Sequence, residues 1–328
     1  FFPNHHDFNE KELFTDGDQL IISSSASQDS EQALLELDLV LDGLISHKTT
    51  APFIARRLIQ RFVTSNPSPG YIERVAAAFG SDGDLPSTIK AILLDQEARS
   101  PSVLNSKTFG KFKEPLLQMT AIMRLLEANS KIALGPGDED LGIVGTNYQY
   151  ADHFSDGATL MKLGSVVPVL GQEVLSAPSV FNFFSPNFSP TGELASQGLV
   201  APELTLITES QIYAMFNGYD KFINSGYTSR RLPFPLEQSR VLLSTSRLDE
   251  VWNNQEGDEI AKATALVDYL DFYLNSGKLK QTDNQGTRNE LIYALQGASC
   301  GPGNSTICER NSLAIYGTAV APEFQIQQ

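Results

Sequence analysis

The sequence is poor in basic residues. Its 328 residues include 24 lysines and arginines against 39 aspartates and glutamates, which gives a formal net charge of −15. Binding to a nucleic acid needs clustered lysine and arginine, and docking on an anionic membrane needs the same. The charge balance therefore argues against both, and we expect no nucleic acid among the partners.

Several other features are missing. No apolar run reaches the length of about 18 residues that a membrane-spanning helix requires, so no membrane span is predicted. There is no Gly-Xaa-Ser-Xaa-Gly elbow, no phosphate-binding loop and no His-Glu-Xaa-Xaa-His motif. These absences remove the commonest hydrolase and nucleotide-binding classes, but not every enzyme.

Cysteine is also scarce, since the chain has only Cys300 and Cys308. The residues between them, GPGNSTI, suit a tight loop, and two cysteines alone cannot make a structural zinc site. We predict a disulfide between them; the alternative is two unrelated thiols. A disulfide would place the protein in an oxidising compartment, either the periplasm or the cell exterior.

Most apolar segments have the spacing of amphipathic helices. The clearest helix covers residues 50–65, with Thr50 as the predicted N-cap and an apolar face that includes Phe53, Ile54, Leu58 and Phe62. No segment sustains the alternation of a strand. The sequence therefore predicts a mainly α fold: an irregular multi-helix bundle with long ordered loops and little or no sheet.

Another helix is predicted just before that one. It begins at Asp29 or Ser30 and ends near Ser46. Its apolar residues are Leu34, Leu37, Leu41, Leu44 and Ile45.

Composition divides the chain into three regions. Residues 1–128 form an N-terminal helical region, which contains the helix over residues 50–65 that we call the Arg-bearing helix. Residues 201–328 form a C-terminal helical region. Residues 129–200 form a loop region rich in glycine, aspartate and aromatic residues. Within it, residues 129–160 are predicted to be a long ordered loop or lid. We expect the three regions to form one compact unit.

The Arg-bearing helix carries a candidate anion-binding pair. Arg56 and Arg57 lie off the apolar face, and guanidinium groups bind carboxylate, sulfate or phosphate in a bidentate manner. The alternative is an internal salt-bridge network with acidic residues of neighbouring helices.

His5, His6 and Asp7 are the densest group of titratable ligands. Imidazole and carboxylate groups could bind a divalent metal as cofactor, with Glu10 or Glu12 nearby. The alternative is that Asp7 accepts an imidazole N–H and fixes the local turn.

The predicted lid contains two weaker candidates. His153 lies between Asp152 and Asp156 and could act as a general base; the alternative is a solvent-facing histidine. The segment GPGDED, residues 135–140, offers oxygen ligands to Ca²⁺ but lacks the spacing of an EF-hand, so a solvated acidic turn is the default.

Several segments together resemble the bacterial DUF1800 family, whose biochemical role is not established. They are HHDFNEKEL, TAPFIARRLIQRFV, FGKFKEPLLQM, SAPSVFNFFSP with LVAPEL after it, and SLAIYGTAVAPEFQIQQ, in the family's order. The resemblance matches the family's His-Asp-then-Lys element to His6, Asp7 and Lys11. These three residues, together with His153 of the predicted lid, are the catalytic candidates.

The same resemblance matches the family's Lys-Xaa-Pro element to Lys113, Glu114 and Pro115. It adds Lys113 to the candidate anion-binding residues.

The chain departs from the family in lacking a further upstream helical region, rich in Ala, Arg and Glu. The resemblance thus implies the later part of a larger protein, with an upstream fragment of the same precursor as one expected partner. Family members typically carry export signals, which implies a periplasmic or extracellular location. They are also often encoded beside proteins resembling sulfatases, which makes a sulfatase-like protein a second expected partner.

Two functions follow from these observations. The first is a binding, scaffolding or assembly component at the cell exterior. The alternative is a metal-dependent or hydrolytic enzyme that acts on an anionic polymer. The residues that this enzyme would use are His6, Asp7, Lys11, Arg56 and Arg57. Their convergence with Lys113 on one cleft would favour the enzyme.

Overall fold

The structure is a computed structural model that describes residues 2–14, 19–106, 108–132, 171–172, 177–180, 182–225, 227–228, 239–281, 285–300 and 307–327. In chain order its helices are α1 Ser30–Ser46, α2 Thr50–Phe62, α3 Pro69–Phe79, α4 Leu85–Leu94, α5 Gln96–Arg99, α6 Pro115–Leu125, α7 Glu193–Ser196, α8 Glu209–Ser225, α9 Ser246–Asn254, α10 Glu259–Leu274, α11 Gln285–Leu295, α12 Glu309–Val320 and α13 Pro322–Gln325. Short 3₁₀ helices cover Pro3–His5, Pro101–Asn105, Pro202–Leu206 and Lys278–Lys280. The strands are β1 Lys11–Leu13, β2 Leu20–Ile22, β3 Lys111–Phe112, β4 Asn129–Ile132, β5 Tyr227–Thr228, β6 Ser239–Leu242 and β7 Ile326–Gln327. The predicted mainly α fold is confirmed.

The chain divides into two compact units. The first contains Phe1–Lys111 and Glu193–Val200, and the second contains Phe112–Gly192 and Ala201–Gln327. The sequence predicted one compact unit of three regions, so the division after Lys111 falls inside the first of them. The reason is that α6 contributes its buried side chains to the core that α8, α10 and α12 share.

The core of the first unit lies between α2, α3 and α4. Ala55, Ile59, Tyr71, Val75 and Ile92 are all fully buried there. The Tyr71 hydroxyl donates a hydrogen bond to the Ile92 carbonyl at 2.6 Å, which pairs the one polar atom that this tyrosine brings into the core.

The buried face of α2 is rotated from the predicted one. Phe53 and Phe62 are 57% and 44% exposed, whereas Ala55 is fully buried. Thr50 is also not the N-cap, because it lies in the helix and its hydroxyl donates to the Leu44 carbonyl at 2.6 Å. Apolar spacing predicted the helix, but the face that packs is set by the neighbouring helix α3.

Helix α1 begins as predicted, with the Asp29 carboxylate accepting the Gln32 N–H at 2.9 Å. Its inner face is built from small or polar residues rather than leucines. Ala33 and Glu36 are buried, and a Cβ at Gly43 would lie 2.8 Å from a methyl carbon of Leu20. A larger residue at this position would therefore require the Leu20 side chain to shift.

The core of the second unit is larger and draws on α6, α8, α10, α12 and α13. Its fully buried residues include Met119, Tyr219, Leu266, Leu270, Ile315 and Phe324. The unit also contains a small antiparallel sheet in the order β4-β6-β5, in which Ser130 and Tyr227 both pair with Val241. These strands are too short for an alternating pattern to reveal them.

Cys300 and Cys308 lie at disulfide distance, with their sulfur atoms 2.03 Å apart, as predicted. Cys308 is the N-cap residue of α12. The pair therefore ties the start of α12 to the segment that follows α11.

Candidate functional site

Helix α2 holds one of the two predicted anion-binding arginines in a half-buried position. Arg57 Nη1 donates a hydrogen bond to Gln60 Oε1 at 3.0 Å, and its guanidinium lies 5.2 Å from the centroid of the Phe53 ring. Burial, together with the charge of Arg56, lowers the pKa of Arg57. Arg56 is exposed. Of the pair, Arg57 has the more fixed and desolvated position, and its role as an anion clamp stays a prediction.

The C-terminal end of α2 is closed by a lysine that the sequence analysis missed. Lys111 is only 3% exposed, and its Nζ donates to the carbonyl oxygens of Arg61 and Gln60 at 2.8 and 3.3 Å. A cation at this end of a helix satisfies carbonyls that have no partner within the helix. No local pattern marks Lys111 as buried, because its partners lie about 50 positions earlier in the chain.

The histidine cluster meets a buried glutamate on α1. Glu36 is 2% exposed, and its Oε2 accepts from Lys11 Nζ at 2.7 Å and lies 2.9 Å from His6 Nε2. These hydrogen bonds, that of Lys11 most strongly, lower the pKa of the Glu36 carboxyl. Glu36 Oε1 is buried without a hydrogen-bond partner. Glu36 thus joins two residues of the predicted His-Asp-then-Lys element, although it lies 25 residues or more away in sequence.

The neighbouring side chains of the cluster point to other partners. Asp7 Oδ1 accepts the backbone N–H and the side-chain amide of Asn9 at 3.0 and 2.7 Å, and the backbone bond is the main cause of the lowered pKa of Asp7. His5 is exposed. Asp7 therefore fixes a turn, as the alternative interpretation had it, but through Asn9 rather than an imidazole. A metal at His6 and Glu36 would compete with the Lys11 ammonium for Glu36 Oε2.

Lys113 follows β3, and hydrogen bonds of its backbone fix its position. Its N–H donates to the Gln325 carbonyl at 2.7 Å, and its carbonyl accepts from Gln118 Nε2 at 2.6 Å. Gln118 Oε1 in turn accepts the Tyr219 hydroxyl at 2.5 Å, and both of these residues are fully buried. Pro115 starts α6 immediately afterwards. The Lys-Xaa-Pro element is thus a rigid strand-to-helix junction that fixes the base of the Lys113 side chain.

A group of three metal-ligand side chains occurs in the second unit. Ligand atoms of Asp249, Cys300 and Cys308 lie within 4.8 Å of one another. Both sulfurs belong to the cysteine pair, and Asp249 Oδ1 accepts from Arg310 and Asn311 at 2.6 and 2.9 Å. The carboxylate therefore anchors the start of α12. Among the described residues, His5, His6 and Asp7 do not form a comparable group.

His153 and the flanking Asp152 and Asp156 lie outside the described residues, as does the acidic segment 135–140. Most of the predicted lid lies outside them too. The predictions for these residues stay as they were made.

A protein-family model matches nearly the whole chain. The model of DUF1800, described as a protein of unknown function, matches residues 1–326. The chain belongs to the DUF1800 family. Comparisons with curated proteins and with solved structures found no match.

The two elements that resemble the DUF1800 pattern have separate polar surroundings in this protein. His6 and Lys11 meet at Glu36 in the first unit, whereas Lys113 belongs to the second. We therefore treat them as two sites. In the part of this DUF1800 chain that the structure describes, no helix combines the length and apolar character needed to cross a membrane.

Proposed function

We propose that this DUF1800 protein is a binding or assembly component at the cell exterior, and that the outer face of α1 is its binding surface. Leu34, Leu37, Leu41 and Leu44 follow one another at intervals of three, four and three residues, and they are 49%, 46%, 47% and 44% exposed. We call these four residues the leucine seam. Leucines at this spacing line the contact between two packed helices.

The leucine seam is costly to leave in water. Full burial of a leucine side chain contributes about 1.5–3 kcal/mol, and each seam leucine keeps nearly half of its surface exposed. Contiguous exposed apolar surface on a protein marks an interaction site. The spacing suits an amphipathic helix of a partner that lies along α1.

Two partners can be proposed from the sequence. One is an upstream fragment of the same precursor, which would supply further helices, and the other is a sulfatase-like protein encoded nearby. The cysteine pair at disulfide distance supports an oxidising compartment, periplasmic or extracellular, for this assembly.

A double substitution in the seam tests the proposal. We expect Leu37→Gln/Leu41→Gln to reduce recovery of either partner by more than about tenfold, because central apolar anchors carry most of the energy of an interface. The measurement is affinity purification of the tagged complete precursor from its native host after mild cross-linking, with the partners quantified by mass spectrometry.

The matched control is Leu93→Gln/Leu94→Gln on α4, where the two leucines are 50% and 54% exposed. The control should leave partner recovery unchanged. Equal recovery with the seam variant and the control would refute the seam as the binding surface.

The enzyme is a second proposal, and one observation favours it. Glu36 Oε1 is buried without a partner beside His6, so a divalent metal could take an oxygen and a nitrogen ligand there. We expect elemental analysis of the purified protein to find a stoichiometric metal if this proposal holds, and His6→Ala/Glu36→Gln to remove it. Metal-free protein from cells grown with ample metal would count against the enzyme and leave the binding role.

A further inference from the structure

The exposed surface of α1 carries negative charge beside the leucine seam. Glu31, Asp38 and Asp42 are all exposed, and they follow one another at intervals of seven and four residues. Residues at these intervals lie along one stripe of a helix, because seven residues make nearly two turns and four make slightly more than one. We call these three residues the acidic stripe. The helix contains no lysine and no arginine, so the charge of this surface has a single sign.

The acidic stripe lies between two rows of exposed leucines. Asp38 follows Leu34 by four residues and precedes Leu41 by three, which makes both seam leucines its neighbours on the helix surface. On its other side are Leu35 and Leu39, which are 53% and 50% exposed. The outer surface of α1 is therefore apolar at its edges and acidic along its middle.

The acidic stripe has no cation of its own. Within the described ranges, none of its three carboxylates belongs to an ion pair. The remaining acidic side chain of the helix, Glu36, is buried and bound to Lys11 Nζ at 2.7 Å. The last turn of α1 contains no basic residue to balance the partial negative charge of the helix C-terminus. A partner that covers this surface must therefore bring positive charge as well as apolar side chains.

We propose that the leucine seam binds a basic amphipathic helix, in which lysines or arginines flank an apolar stripe. This inference rests on the proposed function and adds the chemistry of the partner. The apolar stripe packs on the seam, while the basic head groups reach Asp38 and Asp42 and their aliphatic stems cover the exposed leucines beside them. Complementary charge of this kind selects one partner among many apolar helices and fixes its register.

A second copy of this chain does not fit the same surface. Two α1 helices packed through their seams would bring two acidic stripes together, and neither helix offers a basic side chain. Like charges that face each other across an interface cost free energy. The acidic stripe therefore opposes self-association through α1 and leaves the seam to a partner of opposite charge.

Three designed peptides test the proposal, with the whole chain as the binding protein. Each peptide has about 21 residues, or three heptads, with leucine at positions a and d, and the three differ only in the residue at e and g, which is lysine, glutamine or glutamate. Labelled peptide is kept below the concentration at which it self-associates, and binding is measured by fluorescence anisotropy. We expect the lysine peptide to bind at least about tenfold more tightly than the glutamate peptide at low salt, and this ratio to shrink as salt screens the charges.

The variant Asp38→Asn/Asp42→Asn removes two charges of the acidic stripe. It should bind the lysine peptide at least about tenfold more weakly than the unchanged protein does, and the glutamine peptide equally well. The matched control is Glu256→Gln/Glu290→Gln, which removes two exposed carboxylates from the second unit. Because this control changes the net charge equally, its binding of all three peptides should stay unchanged.

The outcomes separate this inference from the proposed function. If Leu37→Gln/Leu41→Gln binds every peptide as well as the unchanged protein does, the seam is not the binding surface, and the proposed function fails together with this inference. If that variant loses binding but the unchanged protein binds the three peptides equally, the seam binds apolar helices and the basic partner is refuted. Absence of binding by the lysine peptide also overturns the inference. So does a dimer in sedimentation that the same leucine variant dissociates, since a second copy then occupies the seam.

Discussion

Replacing Phe324 with alanine is expected to lower the free energy of unfolding of the second unit by about 4 kcal/mol. The side chain has no exposed surface and belongs to the large core cluster of this unit. Removing it leaves a cavity and also takes away the aromatic face that lies 4.1 Å from Lys113 Nζ. The positive charge of Lys113 would then be buried with less stabilisation from its neighbours.

Urea denaturation followed by tryptophan fluorescence measures this effect. The chain has a single tryptophan, Trp252, and it packs against the same core cluster, so its emission reports on the second unit. The matched control is Phe272→Ala, because Phe272 on α10 is 68% exposed, and a change within about 0.5 kcal/mol is expected there. If the two variants unfold at the same urea concentration, the proposed packing of α13 is wrong.

The helices were predictable because each carries a local signal. Asp29 precedes a run with helical spacing, and its carboxylate caps α1 at the expected place. The burial of each face was less predictable, because it depends on which helix packs alongside. Helix α1 shows this, because its leucines have helical spacing and yet are exposed, whereas Ala33 and Glu36 are the buried residues.

The candidate sites were only partly predictable, because their residues come from distant parts of the chain. Lys113 was found through its resemblance to a family element. Its contact with the Leu274 carbonyl spans 161 residues, and no sequence pattern marks that carbonyl as its neighbour. Glu36 likewise reads as one more polar residue of an amphipathic helix, and only the packing of α1 brings it to His6.

Asp271 shows most clearly how packing decides a residue's role. It lies in the middle of the apolar segment LVDYLDFYL, where a carboxylate is unexpected, and it is 1% exposed. Its two oxygens accept the backbone N–H groups of Leu279 and Lys280 at 2.9 and 3.1 Å. The carboxylate thus holds the 3₁₀ turn that carries Lys278.

Asp271→Ala is therefore expected to lower the free energy of unfolding by about 3 kcal/mol, because two backbone N–H groups lose their partner. Asp271→Asn keeps one carbonyl acceptor and should fall between this variant and the unchanged protein.

Asp258→Ala is the control, since Asp258 caps the same helix from its exposed N-terminal end and its loss should cost about 1 kcal/mol. Urea denaturation followed through Trp252 ranks the three variants. A loss for Asp271→Ala no larger than that for Asp258→Ala would show that the turn holds without the carboxylate.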